Sequence, residues 1–301
     1  MTAQLGTSAT LDWDGPVHYV DFGGNPDGPT FVLVHGLGGS HLNWDLLAPL
    51  LTPHGRVLAL DLPGFGRSEP GSRRATVQAN VAVLRRFLRE VAAAPVVLVG
   101  NSMGGMISIF TAASAPRAVR GVVLLDPALP GGRRSLDGVV AGQFLLYALP
   151  FVGERFLWLR RQRSTPLQRV RDMLRLVGVD PDELPAEVID RSVTLLEERQ
   201  DVAGMDKAFL VAARSLLKIL VDPRPYRGAM AAIRVPVLLV QGDRDRLVPV
   251  AAARSVAEAH PHWTYVELAD VGHVPQLEVP DRVAAEVLGW LEATAGTPSP
   301  A

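Results

Sequence analysis

Between Val96 and Phe110 the chain reads VVLVGNSMGGMISIF, an apolar run that passes through a knot of small residues around one hydroxyl, Ser102. A polar group set between apolar segments costs free energy unless it is partnered or used. The pentapeptide GNSMG fits G-x-S-x-G and stands between a buried-strand pattern and a helical one. A sharp strand-to-helix turn forces the central serine into a strained backbone with its oxygen exposed, and Gly100 and Gly104 are needed because side chains there would collide across the turn. Ser102 is therefore a candidate nucleophile; the competing reading is a structural serine in a glycine-rich turn.

A serine hydroxyl attacks only when a base takes its proton. Of the seven histidines, His273 in LADVGHVPQLEVP falls just after the last strand pattern and before the last helical one. His260 and His262, in EAHPHW, fall at the other end of the sheet, and His41 and His54 precede the serine. The base in turn needs an acid to fix its tautomer and stabilise the imidazolium. VLLVQGDRDRLVP offers Asp243 and Asp245, and VVLLDPALP offers Asp126. The residues alone leave that choice open. The oxyanion of a tetrahedral intermediate needs two backbone donors, and the Met103 amide, at a helix N-terminus, is one.

These residues must be positioned by a scaffold. TFVLVHG, RVLALDLPG, PVVLVGN, VRGVVLLDP, VPVLLVQGD and WTYVELADVGH each read as a strand ending in a polar or glycine-bearing loop, with VHYVDFG before them as part of an antiparallel edge hairpin. LNWDLLAPLL, TVQANVAVLRRFLREVAAA, MISIFTAASAP, VAAARSVAEA and DRVAAEVLGWLEATA space their apolar residues as helices do. That alternation predicts an α/β fold, a mostly parallel sheet with helices on both faces. Ligands in such sheets sit outside the carboxyl ends of the strands, where His35, Asp61, Ser102, Asp126, Asp245 and His273 fall. The alternation lapses over residues 127–233, which predicts an inserted helical cap on a core of 1–126 and 234–295. Its first part is basic and aromatic, from Arg133 and Arg134 through FLLYALPFVGERFLWLRRQR, and Asp180 to Asp206 is acidic. The two halves are expected to pair or to form solvated faces; the rival is a lid favouring amphipathic or anionic substrates. Pro150 should split the segment Phe144 to Trp158 into two short helices, with Phe151 and Trp158 expected to roof the entry to Ser102. The tail 296–301 is expected to be disordered.

Together LVHGLGGS, LDLPGFGRS, GNSMGG, QGDRDRLVP and GHVPQLEVP resemble the α/β-hydrolase superfamily in order and spacing. The resemblance implies an eight-stranded-type sheet, Asp245 as the acid with Asp126 as the alternative, and the Leu37 amide as the second oxyanion donor. It makes Asp61 a brace for the loops around the site, and Asp243 is left as a turn-former. Ser102 stands where haloalkane dehalogenases and epoxide hydrolases carry an aspartate, and Met103 replaces the dehalogenase tryptophan. GNSMGG also resembles the elbow of serine hydrolases that cleave carbon–carbon bonds in ring-fission products, but HGLGGSHLNW does not match their oxyanion loop.

Thirty Lys plus Arg against thirty-one Asp plus Glu, a net charge of −1, provide no field to recruit nucleic acid or an anionic membrane. No cysteine is present, which excludes a thiol nucleophile and a thiolate metal site. The N-terminal residues lack a signal-peptide pattern and no apolar run reaches spanning length, so a cytoplasmic protein without stable membrane insertion is expected. The composite expectation is a serine hydrolase, free of metal and cofactor, that cleaves a carboxylic ester of a small to medium apolar molecule through an acyl-enzyme. Thioesterase, lactonase, perhydrolase or carbon–carbon hydrolase chemistry would use the same three residues. A non-catalytic ligand receptor is the reading from a different class.

Overall fold

The computed structural model describes residues 6–93, 95–131 and 137–294. Eight strands form one sheet: β1 (Thr7–Asp12), β2 (Pro16–Gly24), β3 (Thr30–Val34), β4 (Arg56–Leu60), β5 (Val96–Asn101), β6 (Val119–Leu125), β7 (Val237–Gly242) and β8 (Thr264–Leu268). Their spatial order is β1-β2-β4-β3-β5-β6-β7-β8. The β1–β2 and β2–β4 pairs are antiparallel and all others are parallel. Alternate residues of the central strands enter two separate cores, which explains why those strands read as unbroken apolar runs. Val32, Leu58, Leu98 and Val122 enter one; Leu33, Ala59, Val97 and Val123 enter the other.

The helices among the described residues are α1 (Ala48–Leu51), α2 (Val77–Phe87), α3 (Met103–Ser114), α4 (Gly138–Ala148), α5 (Val152–Arg163), α6 (Pro166–Leu176), α7 (Ala186–Arg199), α8 (Met205–Val221), α9 (Arg224–Ala232), α10 (Val250–Ala259), α11 (Pro275–Glu278) and α12 (Pro280–Thr294). Thr76 caps α2 by accepting the Ala79 amide. The segment expected as one helix at LNWDLLAPLL is two pieces, a 3-10 turn at His41–Trp44 and α1. Pro49 accounts for the break, because its missing N–H suits the first turn of a new helix and not the interior of a longer one. None of the helices is long and apolar enough to cross a membrane.

Between β6 and β7 the chain forms α4 to α9. Pro150 separates α4 from α5, as its ring requires. Arg161–Asp206 and Arg171–Asp182 ion pairs link the basic and acidic parts of this insertion. Arg133, Arg134 and the tail 296–301 lie outside the described residues. Helix α9 differs from the rest: Tyr226 and Met230 are buried in the main core, and the Tyr226 ring lies 5.3 Å from that of Phe110 on α3.

One glycine inside a strand has a packing reason. A Cβ at Gly121 of β6 would stand 2.7 Å from Trp290 Cη2 of α12, so the indole lies directly on the strand backbone. Gly121→Val is expected to lose about 1–3 kcal/mol of stability by overpacking, measured by urea unfolding followed through tryptophan fluorescence.

Candidate active site

Ser102 is the residue between β5 and α3, with φ 54° and ψ −118°, a conformation that side chains with a Cβ rarely adopt. Its amide donates to the Leu125 carbonyl at 3.1 Å, and its carbonyl accepts from Ala128 N at 3.0 Å and Met106 N at 3.2 Å. A Cβ at Gly100 would lie 2.5 Å from the Gly104 carbonyl oxygen, and one at Gly104 would lie 2.0 Å from that of Val34. The glycines therefore permit the approach of α3 to the strand ends. The half-buried Ser102 side chain does not cap α3; it lines a cavity of about 110 Å³ together with His273 and Leu37.

His273 lies between β8 and α11, buried, with Nδ1 2.7 Å from Asp245 Oδ2. A carboxylate only accepts, so the proton sits on Nδ1 and the free lone pair on Nε2. The loop is anchored from several sides. The His273 amide donates to the Val177 carbonyl at 2.9 Å, its carbonyl accepts from Asn101 Nδ2 at 3.0 Å, and the Gly272 amide donates to Glu278 Oε2 at 2.9 Å.

Of the three candidate acids, Asp245 is the one hydrogen-bonded to His273. Its other oxygen accepts the Leu247 and Val248 amides at 2.7 and 2.9 Å. Burial alone pushes this carboxyl up, but the charge and hydrogen bond of His273, with the two amides, outweigh it and hold the group below its ordinary value. Asp126, also buried, accepts from the Gly242 amide and Gln241 Nε2, both at 2.8 Å, through one oxygen. Its Oδ2 is buried without a partner among the described residues. Burial, then the charge of Asp245, push Asp126 well above the usual carboxylate range, against the Gly242 amide. Gln241 Nε2 also donates to Asp245 Oδ2 at 3.0 Å, so one amide joins an ionised and a neutral carboxyl. Asp243 accepts the Asp270 amide at 2.7 Å, tying neighbouring loops and not its own backbone.

Leu37 follows β3 in a loop pressed against the serine, where a Cβ on Gly36 would lie 3.0 Å from Ser102 Cβ. His35 joins this loop to the next. Its Nδ1–H donates to the Gly36 carbonyl at 2.7 Å and its Nε2 accepts the Leu62 amide at 3.1 Å. Burial pushes the His35 imidazole down to about 4, which keeps it neutral. Met103 opens α3, so its N–H has no partner within the helix. Asp61 accepts from His18 Nδ1 and His41 Nδ1, both at 2.8 Å, from the His41 amide at 2.7 Å and from the Arg67 amide at 2.8 Å. Burial would raise this carboxyl, but the two histidine hydrogen bonds hold it far below its ordinary value. Asp126, Asp245 and His273 form one close group of metal-type ligands, and His18, His41 and Asp61 another; in both, the histidine Nδ1 positions are already spent on carboxylates. His54 is exposed ahead of β4, and His260 stacks on Trp263 at 4.6 Å ahead of β8, both remote from the carboxyl ends.

Phe151 and Trp158 do not roof the cavity. They are 87% and 48% exposed. Phe151 occupies the turn at Pro150 with φ 65°, and the Trp158 ring carries the Arg155 guanidinium 4.6 Å from its centroid. The cavity walls are instead Phe144 and Tyr147 of α4 and Phe209 of α8. Successive helical residues point about 100° apart, so an apolar run cannot by itself reveal which of its members turn inward. Asn101, Gln241 and Glu278 were not picked out from the sequence. Asn101 and Gln241 carried a signal, each being a polar residue at the end of an otherwise apolar strand; Glu278 carried none.

The strand order, the strained serine turn and the paired imidazole and carboxylate define a hydrolase-type α/β protein. A family model described as alpha/beta hydrolase fold matches residues 29–280, and this chain belongs to that family. The dihydrolipoyllysine-residue acetyltransferase component of the acetoin cleaving system of Pseudomonas putida is 27% identical over 270 residues, 89% of this chain and 65% of that protein. The present chain thus spans slightly less than two thirds of that relative's length. Pimeloyl-[acyl-carrier protein] methyl ester esterase of Xanthomonas oryzae pv. oryzae is 30% identical over 270 residues, 85% of this chain and 92% of the esterase. The crystal structure of haloalkane dehalogenase DbeA from Bradyrhizobium elkani superposes with a TM-score of 0.80 at 21% identity, over 97% of this chain and 99% of that one, a likeness of fold.

The two carboxyls titrate with opposite sign. Asp126 has a raised value in the fold, so its contribution favours folding below the ordinary carboxylate value of about 3.9 and is lost as pH rises through the raised value. Asp245 is depressed, so its contribution is present above that ordinary value and lost as pH falls through the depressed one. Asp126→Asn is expected to gain stability relative to the parent as pH rises above about 4, and Asp245→Asn to lose it, read as melting temperature against pH.

Proposed function

We propose that this chain is a serine hydrolase of carboxylic esters, with Ser102 as nucleophile, His273 as base, Asp245 as the acid that orients it, and the Leu37 and Met103 amides as the oxyanion hole. The observation that carries this reading is that Ser102, on its strained turn, shares one small cavity with a histidine whose Nδ1 proton is committed to a buried carboxylate. The similarity to a methyl ester esterase supports the choice of ester. In this reading α4 to α8 act as a cap over the strand ends, and the substrate is a small molecule.

Ser102 Oγ attacks the ester carbonyl carbon while its proton passes to His273 Nε2. The charge that develops on the carbonyl oxygen is met by the two backbone N–H groups, fixed in place before reaction and therefore effective without reorganisation. Collapse breaks the bond to the leaving alcohol, which takes the proton from Nε2. Water then repeats the sequence on the acyl-enzyme, giving the acid and restoring the serine. Asp245 stays ionised throughout and offsets the positive imidazole.

Ser102→Ala is expected to lose on the order of a millionfold in turnover of a chromogenic butyrate ester and all labelling by a fluorophosphonate probe, with an unchanged melting temperature. Retention of a tenth of the activity would remove Ser102 from the role. A parent protein that neither turns over esters nor labels would favour a ligand receptor. Asp245→Asn is expected to cost about ten-thousandfold and Asp126→Asn much less, and the reverse ranking would transfer the acid to Asp126.

A further inference from the structure

Beside the cavity at Ser102 lies a second chamber of about 250 Å³, and Gly38, Asn43, Tyr147, Met173 and Phe209 line both. Gly38 lies close against the insertion, where a Cβ would stand 3.3 Å from Phe209 Cε2 and 3.5 Å from Met173 Cε. Arg160, Arg161, Arg169 and Arg199 lie in the wall of the outer chamber with a single carboxylate, Asp206. Arg161 uses that carboxylate, at 2.8 Å, and the Gln200 carbonyl at 2.7 Å. Arg160 donates to the Arg169 carbonyl at 3.4 Å and lies against the Tyr147 hydroxyl, and among the described residues Arg199 donates to the Gly64 carbonyl at 3.3 Å. The Nε atoms of Arg169 and Arg199 are fully buried without a partner among the described residues.

The Arg199 guanidinium is largely withdrawn from water with one carbonyl partner, Arg160 and Arg169 are half-buried, and like charges gathered around one cavity are costly. Burial, then the charges of Arg161 and Arg160, push Arg169 below its ordinary value, and burial does the same to Arg199 against the pull of Asp61 and Asp206. A planar guanidinium offers parallel N–H donors that match a carboxylate or a phosphate. The walls shared by the two chambers are mostly apolar, formed by Tyr147, Met173, Leu174 and Phe209, with Asn43 a polar member.

We propose that Arg160, Arg169 and Arg199 form a binding site for an anionic group, carboxylate or phosphate, at the far end of the substrate, with an apolar spacer along the residues shared by the two chambers to set the ester at Ser102. This rests on the esterase reading for the position of the ester. The anion site itself rests on the arginine cluster alone. The substrate class is thus a medium-chain ester with a terminal anion.

Two measurements separate these parts. Calorimetric titration of the parent protein with octanoate, its uncharged counterpart octanamide and inorganic phosphate reads the anion site without catalysis. Octanoate is expected to bind at least about tenfold tighter than octanamide, as a charge-assisted hydrogen-bond pair implies, and Arg169→Met/Arg199→Met to erase the difference. The kcat/KM ratio of monomethyl octanedioate to methyl octanoate is expected to be about tenfold or more in the parent, near one in the double variant, and partly kept in Arg169→Lys. The methyl ester of 8-phosphonooxyoctanoate, run in parallel, decides between carboxylate and phosphate by which ester has the higher kcat/KM. Should the double variant fail to fold, Arg169→Met alone must cut the ratio at least about threefold. Equal binding of octanoate and octanamide, or a ratio unaffected by the arginine substitutions, overturns the proposal. Selective octanoate binding with no hydrolysis of any ester leaves the anion site standing and removes the esterase reading, whereas ester hydrolysis without anion preference does the reverse.

Discussion

The backbone at Ser102 is the constraint around which the strand ends are organised. A non-glycine residue at φ 54° costs on the order of 1–3 kcal/mol and persists only where its surroundings over-determine it. Here they do. The serine's amide and carbonyl are both bonded to the β6 end, through Leu125 and Ala128. The glycines on either side let α3 approach β5 and the Val34 carbonyl more closely than any Cβ would allow. Because β5 lies between β3 and β6, the same turn touches the Gly36–Leu37 loop on one side and faces the Asp126, Asp245 and His273 loops on the other.

Electrostatics divides these strand ends into two networks. Asp61 collects four donors from three residues, His18, His41 and Arg67, and ties strand β2 to the loops after β3 and β4. On the other side Gln241 contacts a neutral Asp126 and an ionised Asp245 with one amide nitrogen. Two adjacent buried carboxylates would repel each other strongly if both were charged. Giving the backbone amides of Leu247 and Val248 and the imidazole to Asp245 alone decides which of the two keeps its charge.

The fold was legible because its signals are local. Seven of the eight strands coincide with apolar runs ending in polar or glycine-bearing loops, and only β1, with the mixed sequence TSATLD on the sheet's exposed margin, lacked that signature. GNSMG announced a turn for the same reason: steric collision across a few residues is a short-range property. What involves partners distant in the chain was much less visible. Asp126 and Asp245 present similar strand-end contexts, and only the approach of His273 distinguishes them. Glu278 acts through the Gly272 and Val274 amides, a contact no spacing announces. In the insertion, composition identified apolar and basic helices, but it does not tell the inward members of FLLYALPFVGERFLW from the outward ones: Phe151 stands in the turn at Pro150 and Trp158 on an exposed side of α5.

Gly38 has no side chain of its own, so the wall it shares between the two chambers is completed by Met173 of α6 and Phe209 of α8. Both belong to the insertion, while Ser102, Asp61 and His273 belong to strand-end loops. Met173 is an unbranched thioether with several rotatable bonds, and Phe209 is a flat plate packed at 5.1 Å against Tyr147. One of these neighbours is therefore adaptable and the other rigid. Exchanging either would reshape the wall opposite Gly38 while leaving untouched the atoms that hold Ser102 in its turn, so the insertion and the strand ends are separately adjustable parts of one molecule.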